Sequence, residues 1–146
     1  MYALLAGLHN ITRYALLILL IITIVRALMG WLQNKSYTEQ DRKFTLYTTI
    51  TTDVHLLLGL ILYFVAGWFR TLSDMGTAMG NADVRFWAVE HISIGIIAVV
   101  LVHVGSSRAK KAKEAVAKHR ATAIFFILAL LVALSRMPWD RWIPFG

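Results

Sequence analysis

Cysteine is absent from this chain of 146 residues, and charged residues make up only 16% of it. The missing thiols exclude disulfides, thiolate metal sites, iron–sulfur clusters and cysteine-attached haem. Soluble domains carry about 25% charged residues. The scarcity of charge, with 58% hydrophobic residues, argues against a soluble globular enzyme and for an integral membrane protein. The N-terminus lacks a basic region followed by a small-residue cleavage site, so no cleavable signal peptide is expected. No fixed-period repeat and no low-complexity tract is present.

What the chain does have is four long apolar stretches, at about 3–32, 44–68, 86–106 and 121–138. A crossing takes roughly 20 apolar residues, so residues 1–146 read as one four-helix transmembrane domain with no room for a second, catalytic one. Runs such as Tyr14 to Val25 are apolar all round, which excludes the alternating pattern of a β-barrel. The expected fold is all-α, a transmembrane four-helix bundle running up-down-up-down.

Fifteen Lys and Arg stand against eight Asp and Glu, a formal net charge of +7. The excess is local. Arg108, Lys110, Lys111, Lys113, Lys118 and Arg120 crowd the last connecting loop, and Lys35, Arg42 and Lys43 mark the first. The middle loop balances Arg70 and Arg85 with Asp74 and Asp83. The positive-inside rule then places the first and last loops in the cytoplasm of a bacterial inner membrane and both termini on the opposite side. The basic loop reads as a topology marker touching anionic lipid, and no nucleic acid is expected as a partner. Trp31, Trp68, Trp87, Trp139 and Trp142 fall near helix ends, as an aromatic belt does. Ser36-Tyr37-Thr38-Glu39 is read as a capping box, Asp83 as an N-cap for the third crossing, and Pro138 as the stop of the fourth.

Ionisable groups inside a crossing are costly and are functional candidates by default. Here they are His9 and Arg13, Asp53 and His55, and Glu90, His91 and His103. The fourth crossing has none between Arg120 and Arg136, and His119 is expected to be solvated in the basic loop. Arg26 reads as an anchor at the cytoplasmic edge. Helix rise puts His55 roughly 18 Å and His91 roughly 25 Å from the cytoplasmic boundary, close enough for the two rings to face each other. Each is followed four residues on by glycine, Gly59 in HLLLG and Gly95 in HISIG. That glycine lies on the histidine's own face and opens a flat slot beside it. Thr48, Thr51 and Thr52 give the second helix a small polar face suited to close approach.

Two imidazoles flanked by such slots suit a b-type haem, with His55 and His91 as its metal ligands. His9 is the alternative ligand, and a second haem is the open variant. Arg13 and Arg85 are the candidate partners of the anionic propionates. A quinone headgroup is an alternative occupant beside His9 and Arg13. Asp53 and Glu90 are candidates for orienting a ligand or carrying protons. The reading is an electron-transfer cytochrome rather than an independent catalyst, working with the lipid bilayer, with other subunits of a membrane complex or with further copies of itself. Two rivals stand beside it: a cofactor-free accessory subunit, and a proton or metal-ion pathway through Asp53, His55, Glu90 and His91.

The motifs LHNITR, Gly30-Trp31, DVHLLLGLILYF, RFWAVEHISIGIIAVVLVHVGSSRAKK and a final MPW together resemble the small four-helix membrane proteins of Bacteroidota identified as cytochrome b-like. The resemblance covers nearly the whole chain. It implies haem b and electron transfer, and it carries over His9, Arg13, His55 and His91, but not His103.

Overall fold

A computed structural model describes residues 1–140; Trp142 of the expected aromatic belt lies outside them. Among the described residues there are helices and no strands. Four helices are long and apolar enough to cross a membrane, the mark of an integral membrane protein. They are α1 (Tyr2–Leu32), α2 (Glu39–Val65), the helix that runs from Ala82 to Lys111, and α6 (Ala115–Ser135). Between α2 and the third crossing lie a 3₁₀ turn (Trp68–Ser73) and the short α3 (Met75–Gly80). The third crossing itself is built from α4 (Ala82–Arg85), a π turn (Phe86–Glu90) and α5 (His91–Lys111).

Several helix ends fall where local hydrogen bonding, rather than hydropathy, puts them. The capping box of α2 is Thr38 with Asp41, not Ser36 with Glu39: the Asp41 N–H donates to Thr38 Oγ1 and the Thr38 N–H to Asp41 Oδ2. The helix therefore begins five residues before the apolar run. It ends at Val65 because Gly67 adopts a left-handed φ of 78° that suits glycine. Asn81, not Asp83, caps α4, its side chain accepting from the N–H groups of Asp83 and Val84. Asp74 caps α3, and the Thr77 hydroxyl and N–H bonded to it hold its carboxyl below the usual range. The basic residues are mostly helical: α5 continues to Lys111, and α6 starts at Ala115, six residues earlier than expected. It ends at Ser135, three residues before Pro138.

The helices form a ring in which α1 packs on α2 and α6, and α5 on α2 and α6. The apolar core is small: Leu20 and Ile24 from α1, Val102 from α5, Phe126 and Ala129 from α6. Large apolar side chains such as Ile18, Leu57 and Leu131 point outward instead, each more than half exposed, as a lipid-facing belt requires. Without a hydrophobic drive between helices in lipid, small residues and hydrogen bonds do the joining. On α5, Ala98, Val102, Gly105 and Ala109 are buried along one face. A Cβ on Gly105 would lie 2.7 Å from the Cβ of Phe125. On α2 the buried face is threonine. Thr48 Oγ1 lies 2.8 Å from Thr23 Oγ1 of α1, and Thr52 bonds back to the Thr48 carbonyl.

His119 is buried, 2% exposed, and not solvated. The early start of α6 carries it into the bundle, where Gly30 of α1 leaves room for its ring and the Ser36 carbonyl accepts from its Nε2. Arg26 bonds Asp41 at 3.0 Å and so ties the end of α1 to the start of α2.

Gly105→Ala and Gly30→Ala are each expected to lower stability by about 1–3 kcal/mol, because the added methyl meets an anchored or buried neighbour. Gly80→Ala meets nothing within 4 Å and is the control. Thermal unfolding in detergent checks this: equal midpoints for all three variants would contradict the packing described.

Candidate functional site

Three of the crossings meet at a cavity of about 210 Å³. α1 contributes His9, Asn10 and Arg13; α2 contributes His55, Gly59 and Tyr63; the third crossing contributes Trp87, His91 and Gly95. Arg136 and Pro138, at the end of α6, close one side. Among the described residues most of the wall is apolar, its charged members are both arginines, and no Asp or Glu lines it.

The imidazoles are held from behind. His9 Nδ1 lies 3.2 Å from the His55 carbonyl, and His91 Nδ1 lies 2.9 Å from the Arg136 carbonyl. A carbonyl only accepts, so in both rings Nδ1 carries the proton. Thr12 Oγ1 donates to the His9 carbonyl at 2.9 Å and is 2.9 Å from His55 Nδ1. With its own proton so used, Thr12 accepts from His55, and the third ring takes the same tautomer. Each ring thus keeps Nε2 as its lone-pair nitrogen, and none of the three Nε2 atoms has a hydrogen-bond partner among the described residues. Back-side bonding of this kind is how proteins fix the tautomer and orientation of a ligating histidine.

The rings differ in how they meet. His9 and His55 stack face to face, with centroids 3.9 Å apart and planes 11° from parallel. His9 and His91 lie 6.3 Å apart with planes at 79°. Gly59 does provide a slot, but His9 fills it: a Cβ there would sit 3.0 Å from His9 Cε1. Gly95 has open space where its Cβ would be. His91 is also wedged by Phe86 and Trp87, at 5.7 and 5.6 Å between centroids. The π turn sets that wedge, and the Tyr63 hydroxyl pins the turn to α2 by donating to the Ala88 carbonyl at 2.8 Å.

The remaining sequence candidates separate into three places. Arg13 is buried and lines the cavity, with its guanidinium against Tyr14. Arg85 does not line it: Glu90 and the Met79 carbonyl hold its guanidinium, each at 2.8 Å. Glu90 also bonds Arg136 at 3.0 Å. Asp53 does not reach the cavity histidines but bonds His103 on the outer surface. Asp53, His55, Glu90 and His91 therefore do not form one continuous chain of groups. Thr12 and Arg136 are the residues that sequence reasoning missed. Thr12 stands one turn after His9, and a hydroxyl at that spacing from a membrane histidine is the signal that was available. Arg136 lies at the far end of a helix that reads as inert.

Among the described residues, no group of three or more His, Asp or Glu side chains is placed to hold a metal ion by itself. Comparison with family models, with curated proteins and with solved structures finds no match.

Gly95→Ala should leave folding intact or strengthen α5, since alanine favours helix over glycine by roughly 1 kcal/mol. Gly59→Ala should displace the His9 ring and lower the unfolding temperature. Equal behaviour of the two variants in a detergent thermal melt would contradict the occupancy of the two slots.

Proposed function

We propose that this cavity holds a b-type haem and that the protein passes single electrons within a membrane, with the quinone pool or a partner subunit as the other party. The carrying observation is the set of three imidazoles, each tethered through Nδ1 with Nε2 left, gathered around one cavity beside Arg13 and Arg136. Neutral imidazole nitrogen is a donor for haem iron, and two guanidiniums suit a dianionic macrocycle. The open side of Gly95 supports close approach of a flat ring.

In this reading His9 and His91 would hold the haem iron, where the sequence pointed to His55 and His91. His9 and His91 stand 6.3 Å apart, whereas the 3.9 Å stack of His9 on His55 leaves no space for a macrocycle between those two. His55 then orients His9 through the stack and its carbonyl. A cavity of about 210 Å³ is below the roughly 300–1,000 Å³ of ligand pockets, so the group would extend through the open side. When bound, the haem supplies one-electron chemistry; Arg13 and Arg136 would balance its carboxylates.

The same proposal takes the helices as running up-down-up-down in a bacterial inner membrane. The basic end, where Arg26 meets Asp41 and α6 begins, faces the cytoplasm by the positive-inside rule.

The test is an optical one. Protein purified in detergent from haem-replete cells should show reduced-minus-oxidised Soret and α bands and a b-type pyridine haemochrome. His9→Ala and His91→Ala should each lose at least about ten-fold in bound haem, and His55→Ala less. A folded, colourless protein that takes up no added haemin would overturn the proposal. The reciprocal bonding of His9 and His55 would then be read as a cofactor-free clasp between α1 and α2.

A further inference from the structure

His91 differs from the other two cavity histidines in what holds it. His9 and His55 are held by groups inside α1 and α2: the His55 carbonyl accepts from one and Thr12 from the other. His91 donates to the Arg136 carbonyl at 2.9 Å. α6 ends at Ser135, so that carbonyl lies beyond the helical ladder, where backbone groups need partners from elsewhere. Its position depends on what holds Arg136 itself.

Glu90 holds Arg136 by its side chain. Its Oε2 accepts from Arg136 Nε at 3.0 Å and its Oε1 from Arg85 Nε at 2.8 Å. Arg85 is anchored in turn on the Met79 carbonyl. Glu90 and His91 are neighbours in the chain, so their two bonds to Arg136 close a ring. One bond joins carboxylate to guanidinium, the other imidazole to carbonyl. The π turn stiffens the near side of that ring: the His91 N–H reaches back to the Phe86 carbonyl, and Tyr63 pins the turn at Ala88. Phe86 and Trp87 flank the imidazole. The far side, Arg136, also lines the cavity. We propose that Glu90 is a positioning residue of the site. Through Arg136 it keeps the His91 proton on Nδ1, which leaves Nε2 as the lone-pair nitrogen. By the same bond it keeps a guanidinium at the cavity wall. Its role toward haem rests on the function proposed above; its setting of the His91 ring does not.

The test reads the ring directly. Histidine nitrogen NMR of the full-length protein in lipid nanodiscs, free of haem, tells a protonated ring nitrogen from a lone-pair one. The His91 signals are those lost in His91→Ala. Wild type should show His91 as a single Nδ1–H tautomer. Glu90→Leu should turn it into a mixture of tautomers while His9 and His55 keep theirs. Glu90→Gln, which retains one acceptor oxygen, should lose less. Arg136→Leu should reproduce the loss, and it decides the matter if Glu90→Leu does not fold. With added haemin, Glu90→Leu should bind at least about ten-fold more weakly, the usual cost of removing an outer partner of a ligating histidine. A His91 tautomer unchanged in Glu90→Leu and Arg136→Leu would overturn the proposal. So would His9 and His55 changing along with it, or haemin affinity kept where the tautomer is lost. Wild type that takes up no haemin overturns the haem reading instead, and the tautomers still decide the role of Glu90.

Discussion

Hydrocarbon offers no hydrogen bonds, and that single fact places the polar side chains of these four helices. Thr48 reaches Thr23, Tyr63 reaches the Ala88 carbonyl, and Thr12 joins the His9 carbonyl to the His55 ring. Each bond crosses from one helix to the next or seats a side chain that does. A bundle with an apolar core as small as Leu20, Ile24, Val102, Phe126 and Ala129 gains little from burial, since its surroundings are apolar as well. Small residues that let backbones approach, and polar groups with nowhere else to turn, supply the cohesion. The histidine cavity grows out of the same requirement. Its rings are held through one nitrogen because that nitrogen had to be satisfied, and this leaves the other nitrogen available.

The four helices were legible because hydropathy reports membrane depth well over a run of 20 residues. Their ends were not, since a helix does not stop where its apolar stretch stops. Lys43 and Arg42 lie inside α2, and Lys110 and Lys111 inside α5, their side chains reaching toward the surface while the backbone stays helical. Thr38, Asn81 and Gly67 set three of the ends by bonds and dihedrals that depth cannot register. His119 was misplaced for this reason: with α6 beginning at Ala115 it is a core residue, and Gly30, on a different helix, is what admits it.

The site was partly legible. His9, His55, His91, Arg13 and Gly95 do gather, as the residue types and spacings suggested. Arg85 and Asp53 do not join them, because each has a nearer partner of opposite charge or matching polarity: Glu90 for one, His103 for the other. Spacing along one helix tells which residues share a face, but not which neighbour fills the space in front of it. Gly59 shows this plainly. Its slot is real, and the ring in it comes from α1, not from a ligand.

The π turn at Phe86–Glu90 has a bearing on how this chain should be aligned with others. Such a turn absorbs one residue more than an α-helical turn, so the faces on either side of it are out of phase with a 3.6-residue count by about 100°. Phe86 therefore comes round against His91 despite standing five positions before it, beside Trp87, which the ordinary four-residue spacing already places there. A sequence with one residue fewer between Trp87 and His91 can present the same inward wall on an uninterrupted helix. A one-position gap at that point is then a change of spelling, with the architecture unaltered.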